Sequence, residues 1–226
     1  MANIYFIRHG QASFGAPNYD VLSPIGRQQA HQLGVYLGEQ GVHFDRVYSG
    51  TLQRQRDTAQ LALQAMRGKA GYVEDAGFNE IDITSSLTEL LPVLAARSPE
   101  AADVFSGKTQ PDPQGFARAF DELVGVWIDA KHLSPQESWQ GQRERLQTRF
   151  EQLLSDADEE ENIAVFTSAG VVSIIDQCFV VPSSRFSLNW NIANTSMSQL
   201  QRDSQQWGFF NQTPHLNQQP ELRTLI

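Results

Sequence analysis

Three short apolar segments, each followed by a helix-forming stretch, constrain this chain most. Residues 3–8 read Asn-Ile-Tyr-Phe-Ile-Arg, residues 46–49 Arg-Val-Tyr-Ser, and residues 162–167 Asn-Ile-Ala-Val-Phe-Thr. Each is too short for a stable helix, and the apolar character of the first and last suits a strand buried on both faces. Ser23-Pro24 starts the first helix, a capping residue followed by proline at the first helical position, and Leu33, Tyr36 and Leu37 mark its apolar face on the way to Gly41. A second helix is expected over 51–66, ended by Gly68, and a weak third strand over 71–75. A long helix spans 138–154, with Leu146, Phe150, Leu153 and Leu154 as its stripe. A helix over 171–179 follows the late strand, and 199–202 and 206–210 close the pattern as strands. Strands alternating with helices predict a three-layer α/β/α fold around a mostly parallel sheet.

Residues 81–135 break the alternation. They are helical in parts, with Pro92, Pro99, Pro111 and Pro113 as punctuation. We read them as a cap inserted into a single domain, 1–226, and expect substrate selectivity to come from this segment.

The chain carries 17 basic and 26 acidic residues, a net charge of −9, which repels nucleic acid and anionic membrane surfaces. Three lysines stand against fourteen arginines. Arginine is the planar, bidentate partner of phosphate, so the position of each arginine matters more than the total. The acidic run 156–161 reads as a solvated turn. A lone cysteine, Cys178, lies in an apolar stretch and reads as a small buried hydrophobe. With no disulfide framework, no signal-peptide pattern and no membrane-length apolar run, the expected location is the cytoplasm.

The chemistry gathers at strand ends, where open α/β sheets bind their ligands. Arg8-His9-Gly10-Gln11 leaves the first strand directly. Histidine can act as a nucleophile, and against a phosphate ester a phosphohistidine splits one transfer into two easier steps. Arg8 can neutralise a phosphate oxygen, and Gly10 allows close backbone approach. Arg54 sits in the first turn of a helix that follows a strand, near its positive end, and is a second phosphate ligand. Arg56 reads as a surface residue. A general acid is needed for the leaving oxygen. Glu80 follows the third strand, and Asp82 and Glu89 are alternatives.

Arg8-His9-Gly10 after an N-terminal strand resembles the signature of the histidine phosphatase (phosphoglycerate-mutase-like) superfamily. Leu22-Ser23-Pro24-Ile25-Gly26-Arg27-Gln28-Gln29-Ala30 is similar to its L-[ST]-x-x-G-x-x-Q-A segment. Ser49-Gly50-Thr51-Leu52-Gln53-Arg54 with Thr58-Ala59 is similar to its S-x-x-L-x-R-x-x-x-T-A segment. The strand at 162–167, Asn211 and His215-Leu216 complete the series. The resemblance implies a phosphoglycerate-mutase-like fold, His9 as the phosphorylated residue, Arg8 and Arg54 on the phosphate, and Glu80 as acid in an N-E-[IVH] context.

The family's second catalytic histidine ends the late strand in an S-H-G-G-like segment. This chain reads Thr167-Ser168-Ala169-Gly170, so Ser168 stands in its place. A serine hydroxyl supplies a neutral hydrogen bond where an imidazolium supplies charge. Backbone N–H groups at that strand-to-helix junction are expected to keep Ser168 and Ala169 as phosphate contacts, with Gln11 as a further one. Gly15 stands where the family often has an asparagine. His31, His43, His132 and His215 read as structural or exposed.

These residues imply a phosphomonoester hydrolase acting on a small phosphorylated substrate. Ser168 keeps open a member that binds a phosphorylated ligand or a partner without turnover, and a phosphoglycerate-mutase-type phosphotransferase is a third reading. No cofactor and no metal are expected: H-E-x-x-H, paired cysteines and clustered histidines are absent, as are G-x-x-x-x-G-K-[ST] and G-x-S-x-G.

Overall fold

The computed structural model describes residues 2–13, 18–66, 71–134, 136–182, 186–189 and 191–225. Gly15, Gly68 and Pro135, named above, lie outside these residues. Strands β1 (Asn3–Arg8), β2 (Arg46–Ser49) and β4 (Asn162–Thr167) fall on the segments expected. Strand β3 is shorter than expected, Val73–Glu74 only. It makes two pairings with β2 and both of its residues are exposed, so burial does not extend it. Strand β5 (Met197–Gln201) begins two residues before the expected start, because its pairing with β1 starts at Ile7 opposite Met197. Strand β6 (Gln206–Gln212) runs two residues past the expected end.

The sheet order is β3-β2-β4-β1-β5-β6. The first four strands are parallel, while β5 and β6 are antiparallel additions beside β1. β1 and β4 therefore sit in the middle and bury both faces. Ile4, Phe6, Ile163 and Val165 point into one core, and Ile7, Ala164 and Phe166 into the other, the period-two alternation of a strand.

Helices α1 (Pro24–Glu39) and α2 (Gln53–Ala65) cover the second face through Leu33, Leu37, Ala59, Ala62 and Leu63. Ser23 caps α1 by accepting from the Gly26 N–H at 3.0 Å, with Pro24 in the first turn. α2 starts at residue 53 rather than 51, because Leu52 is extended, at φ −69° and ψ 141°, and stands as the N-cap.

Between β3 and β4 come α3 (Leu87–Arg97), α4 (Pro99–Phe105), α5 (Pro113–Asp129) and α6 (Trp139–Asp156). Pro99 and Pro113 open helices, but Pro92 does not interrupt α3. Leu90 and Leu94 on either side of it are fully buried, and that packing outweighs the single hydrogen bond proline removes. α6 buries Leu146, Phe150 and Leu153 against the sheet, whereas Leu154 is only partly buried. After β4, α7 (Ala169–Ile174) begins two residues earlier than expected and widens into a π turn over Ile175–Val180. Together with α3 to α6 it covers the first face, completing three layers. Cys178 is half-buried at the edge of this core rather than inside it. No helix among the described residues is long and apolar enough to cross a membrane.

The acidic run before β4 is not a uniformly solvated turn. Glu161 is buried, and both of its carboxylate oxygens accept from Arg46, the Nη2 contact being 2.5 Å. Burial alone would raise the Glu161 pKa, but the Arg46 hydrogen bond dominates and holds it below 4.5. The folded state thus favours the ionised form. Its contribution is fully present above the unfolded carboxyl's pKa and disappears as pH falls through the lower folded value. Glu161→Gln should cost about 1–2 kcal/mol at neutral pH, less than a fully buried pair because Arg46 is part exposed. In thermal melts against pH, the gap between parent and variant should close below pH 4.5. A gap that stays constant down to pH 3 would contradict this account.

Candidate functional site

The parallel strands β1, β2 and β4 end on the same edge, and the loops leaving them build one site. His9 follows β1, its N–H donating to the Thr167 carbonyl at 2.8 Å. Gly10 is required here for a reason the sequence did not reveal. A Cβ on Gly10 would lie 2.5 Å from the Gly26 carbonyl oxygen, so the close approach is to the first turn of α1.

The His9 ring is 3% exposed and held at both nitrogens. Nδ1 lies 2.7 Å from the Gly10 carbonyl oxygen, which can only accept, so Nδ1 carries the proton. Nε2 accepts from Arg54 Nε at 3.1 Å, so Nε2 keeps its lone pair. Burial, then Arg54, then Arg8 push the His9 pKa well below 6.5. The geometry and the electrostatics agree on a neutral imidazole with a bare Nε2.

His9 is braced from behind. The Thr195 N–H donates to the His9 carbonyl at 3.2 Å, and Asn194 Nδ2 does so at 3.3 Å. Thr195 is a buried β-branched residue at φ 55°, a strained conformation that its neighbours must enforce. Its hydroxyl donates to the Asn194 carbonyl at 2.7 Å and lies 2.9 Å from His215 Nε2, which therefore donates to it. Asn211 Oδ1 accepts from the Ala193 N–H at 2.8 Å. Asn211 and His215 thus hold the loop that holds His9. Burial, with Arg223 adding to it, lowers the His215 pKa to about 4. His31, His43 and His132 are exposed.

Two arginines meet His9 as expected. Arg8 is buried, its Nη1 donating to the carbonyls of Ile192 and, at 2.7 Å, Leu225. Its Nε is buried without a partner among the described residues. Burial lowers the Arg8 pKa to about 10, against the opposing pull of Tyr19 and Glu80. Arg54 is 7% exposed and gives Nη1 to Asp20 Oδ1 at 2.6 Å, with Tyr19 stacked 5.3 Å away. Asp20 also accepts from the Gln53 N–H at 2.8 Å, the position at the head of α2 where an anion would sit. A guanidinium has five N–H groups, so these bonds do not exhaust Arg54. Arg56 turns away to Gln53 and Glu74.

The acid candidates separate. Glu80 and Asp82 line the same cleft as His9, Arg8 and Arg54, and Glu89 does not. The Glu80 carboxylate accepts from the Ile81 N–H at 2.9 Å and the Gly170 N–H at 3.4 Å. A Cβ on Gly170 would lie 2.3 Å from Glu80 Oε1, so glycine there is what admits the carboxylate to the head of α7. Asp82 is exposed, and its Oδ1 caps a turn through Thr84 and Ser85. Glu89 faces His132 at 3.9 Å.

The remaining candidates fall differently. Ala169 lines the cleft. Ser168 is fully buried, is not among the lining residues, and accepts from Gln55 Nε2 at 2.8 Å. Gln11 lies outside the lining as well, its Oε1 accepting from Ser23 Oγ at 2.8 Å.

Sequence reasoning missed Gln55, Asp20 and Arg145. Gln55 is fully buried, yet glutamine in a first helical turn reads as surface. Arg145 reaches from α6 to the carbonyls of Ala76 at 2.9 Å and Asn79 at 3.1 Å. Burial lowers its pKa while Glu80 opposes that shift, which places its charge beside the acid. Arg145 and Arg149, four residues apart, both line the cleft, and that spacing was the one available signal. Among the described residues, no three His, Cys, Asp or Glu side chains converge as a metal-ligand set.

Gln55 already fills the space beside residue 168. Ser168→His must displace its amide, and overpacking of this kind costs about 1–3 kcal/mol. The variant should melt below the parent, and the double variant Ser168→His with Gln55→Ala should recover most of the loss. Additive destabilisation in the double variant would show that the two side chains do not share that space.

Comparison with known proteins places this geometry in context. A model of the histidine phosphatase superfamily (branch 1) matches residues 4–212. A broad-specificity phosphatase of Saccharomyces cerevisiae is 37% identical over 67 residues, 27% of this chain and 29% of that protein. A 2,3-bisphosphoglycerate-dependent phosphoglycerate mutase of Streptococcus thermophilus is 38% identical over 71 residues, 29% of this chain and 31% of that protein. The matched stretch thus spans less than a third of these curated relatives. Among solved structures, phosphoglycerate mutase from Bacillus anthracis str. Sterne superimposes with a TM-score of 0.66 at 16% identity, covering 95% of each chain. The YhfR protein of Bacillus stearothermophilus does so at 0.59 and 18%, covering 96% of this chain and 100% of that one. At these identities the likeness is one of fold.

Proposed function

The chain belongs to the histidine phosphatase superfamily, branch 1, and from that premise we propose that it is a phosphomonoester hydrolase working through a phosphohistidine on His9. The observation that carries this reading is the His9 clamp. Nδ1–H is held by the Gly10 carbonyl, and the lone pair on Nε2 faces a cationic pocket at the carboxyl ends of the strands.

In the first step the Arg54 Nε–H passes from Nε2 to a phosphoryl oxygen, the freed Nε2 lone pair attacks phosphorus, and the bond to the leaving oxygen breaks. Glu80 gives that oxygen a proton. In the second step the same carboxylate takes a proton from water, which attacks phosphorus, breaks the P–N bond and releases phosphate. Arg8 and Arg54 stabilise the charge on the phosphoryl oxygens, with Arg54 sharing itself between phosphate and Asp20. Backbone N–H groups near Ala169 supply the neutral donors left at the head of α7. Glu80 is favoured over Asp82 because it is half-buried in the cleft beside the Gly170 N–H, while Asp82 is exposed and committed to its turn. Residues 81–135 serve as the cap over a small phosphorylated substrate. Gln11 supports the loop through Ser23.

In this reading Ser168 replaces the second catalytic histidine of the family, and Arg145 supplies cationic charge nearby. A second reading follows from the same residue: fully buried and bonded to Gln55, Ser168 brings no charge to the site, which favours a member that binds a phosphorylated ligand with little turnover. The mutase reading rests on what the Streptococcus relative is called, and a requirement for a bisphosphoglycerate would support it.

With para-nitrophenyl phosphate, His9→Ala should lower kcat/KM at least about a thousandfold. Glu80→Gln should cost about a hundredfold on an alkyl phosphate, whose leaving group needs a proton, and far less on para-nitrophenyl phosphate. Equal losses on both would remove Glu80 from the acid role. A parent that releases no phosphate, yet melts higher in its presence, would favour the binding reading.

A further inference from the structure

The phosphate end accounts for little of the cleft. Its volume is about 1220 Å³, beyond the roughly 300–1,000 Å³ usual for a small-molecule site. Leu52, Ile81, Ile83, Phe116, Phe120 and Leu188 give the cleft its apolar lining, with Phe116 and Phe120 on the inserted helix α5. We propose that the cleft takes phosphate monoesters whose alcohol carries a bulky apolar body, seated on Phe116 and Phe120. The inference rests on the phosphate-binding part of the reading above, not on turnover.

Phe116 and Phe120 lie four residues apart on α5, so their rings share one face of the helix. Their centroids are 6.1 Å apart, and Phe105 of α4 lies 6.0 and 6.1 Å from the two. Each ring is part exposed and contacts the other two, and Phe105 and Phe120 pack against the core. An apolar shelf braced in this way loses little side-chain freedom on binding. Ile81 and Ile83 continue the surface toward Glu80.

The facing wall, from α6, offers neutral partners in Gln142, Thr148 and Gln152. Two arginines stand beside them. Arg149 pairs with Asp75, and Arg145 holds two carbonyls beside Glu80. A small phosphorylated acid would leave the aromatic shelf wet. An apolar alcohol dries the shelf and asks for no further charge.

The test is calorimetric titration of the intact protein with n-alkyl phosphonates from methyl to octyl, which cannot be hydrolysed, alongside kcat/KM for the matching alkyl phosphates. Kd should fall about two- to fourfold for each added methylene over several carbons. Phe116→Ala with Phe120→Ala should flatten the series while leaving methyl phosphonate within about twofold, a margin far below the cost of losing one burying contact. The parent's own series decides the matter if that variant does not fold. A flat series in the parent, or 3-phosphoglycerate binding tighter than butyl phosphonate, would overturn the proposal. Length-dependent binding without phosphate release would sink the hydrolase reading and leave this one standing. Phosphate release with no dependence on length would do the reverse.

Discussion

Everything in this site depends on how one imidazole is held. His9 is buried, so its charged form is penalised, and two arginines add to that penalty. The Gly10 carbonyl fixes the proton on Nδ1, and the Arg54 N–H requires the lone pair on Nε2. The proposed attack needs no deprotonation or turning of the ring, only the release of the Arg54 N–H from Nε2. The scaffold sets the ring in advance, through the strained Thr195, the Asn194 amide and the His215 and Asn211 props behind them.

The same logic governs the charges around the ring. Arg8 carries a depressed pKa because burial strips its charge of water by more than Tyr19 and Glu80 restore, and in the proposed function an arriving phosphate relieves that cost. Arg54 is partly neutralised by Asp20, which stands at the head of α2. On the far side, Glu80 reaches the head of α7 because Gly170 has no Cβ to block it. At the end of β4, the packed pair of Ser168 and Gln55 closes the space, with no hole beside the serine.

The central strands were legible because burial on both faces leaves an apolar run that little else can explain, as in Asn162–Thr167. The edge strands were less so, since β3 has two exposed residues and β5 takes its start from pairing with β1. His9, Arg54 and Glu80 could be placed from their positions just beyond strands. Gln55, Asp20 and Arg145 could not, because a polar residue on a helix or loop reads as solvated until the fold buries it. The ion pair of Glu161 with Arg46 was hidden for the same reason: the two are far apart in the chain and meet only across β2 and β4. Pro92 misled in the opposite direction, since local propensity yields where Leu90 and Leu94 anchor a helix.

The most direct test of the account is nitrogen NMR of the His9 ring, read through its couplings to the ring carbon-bound protons. At pH 6.5, where an ordinary histidine is half protonated, the account predicts a neutral ring with its proton on Nδ1 and a bare Nε2. The result holds whether or not the protein turns over substrate. A ring protonated at both nitrogens, or a neutral ring with its proton on Nε2, would contradict it.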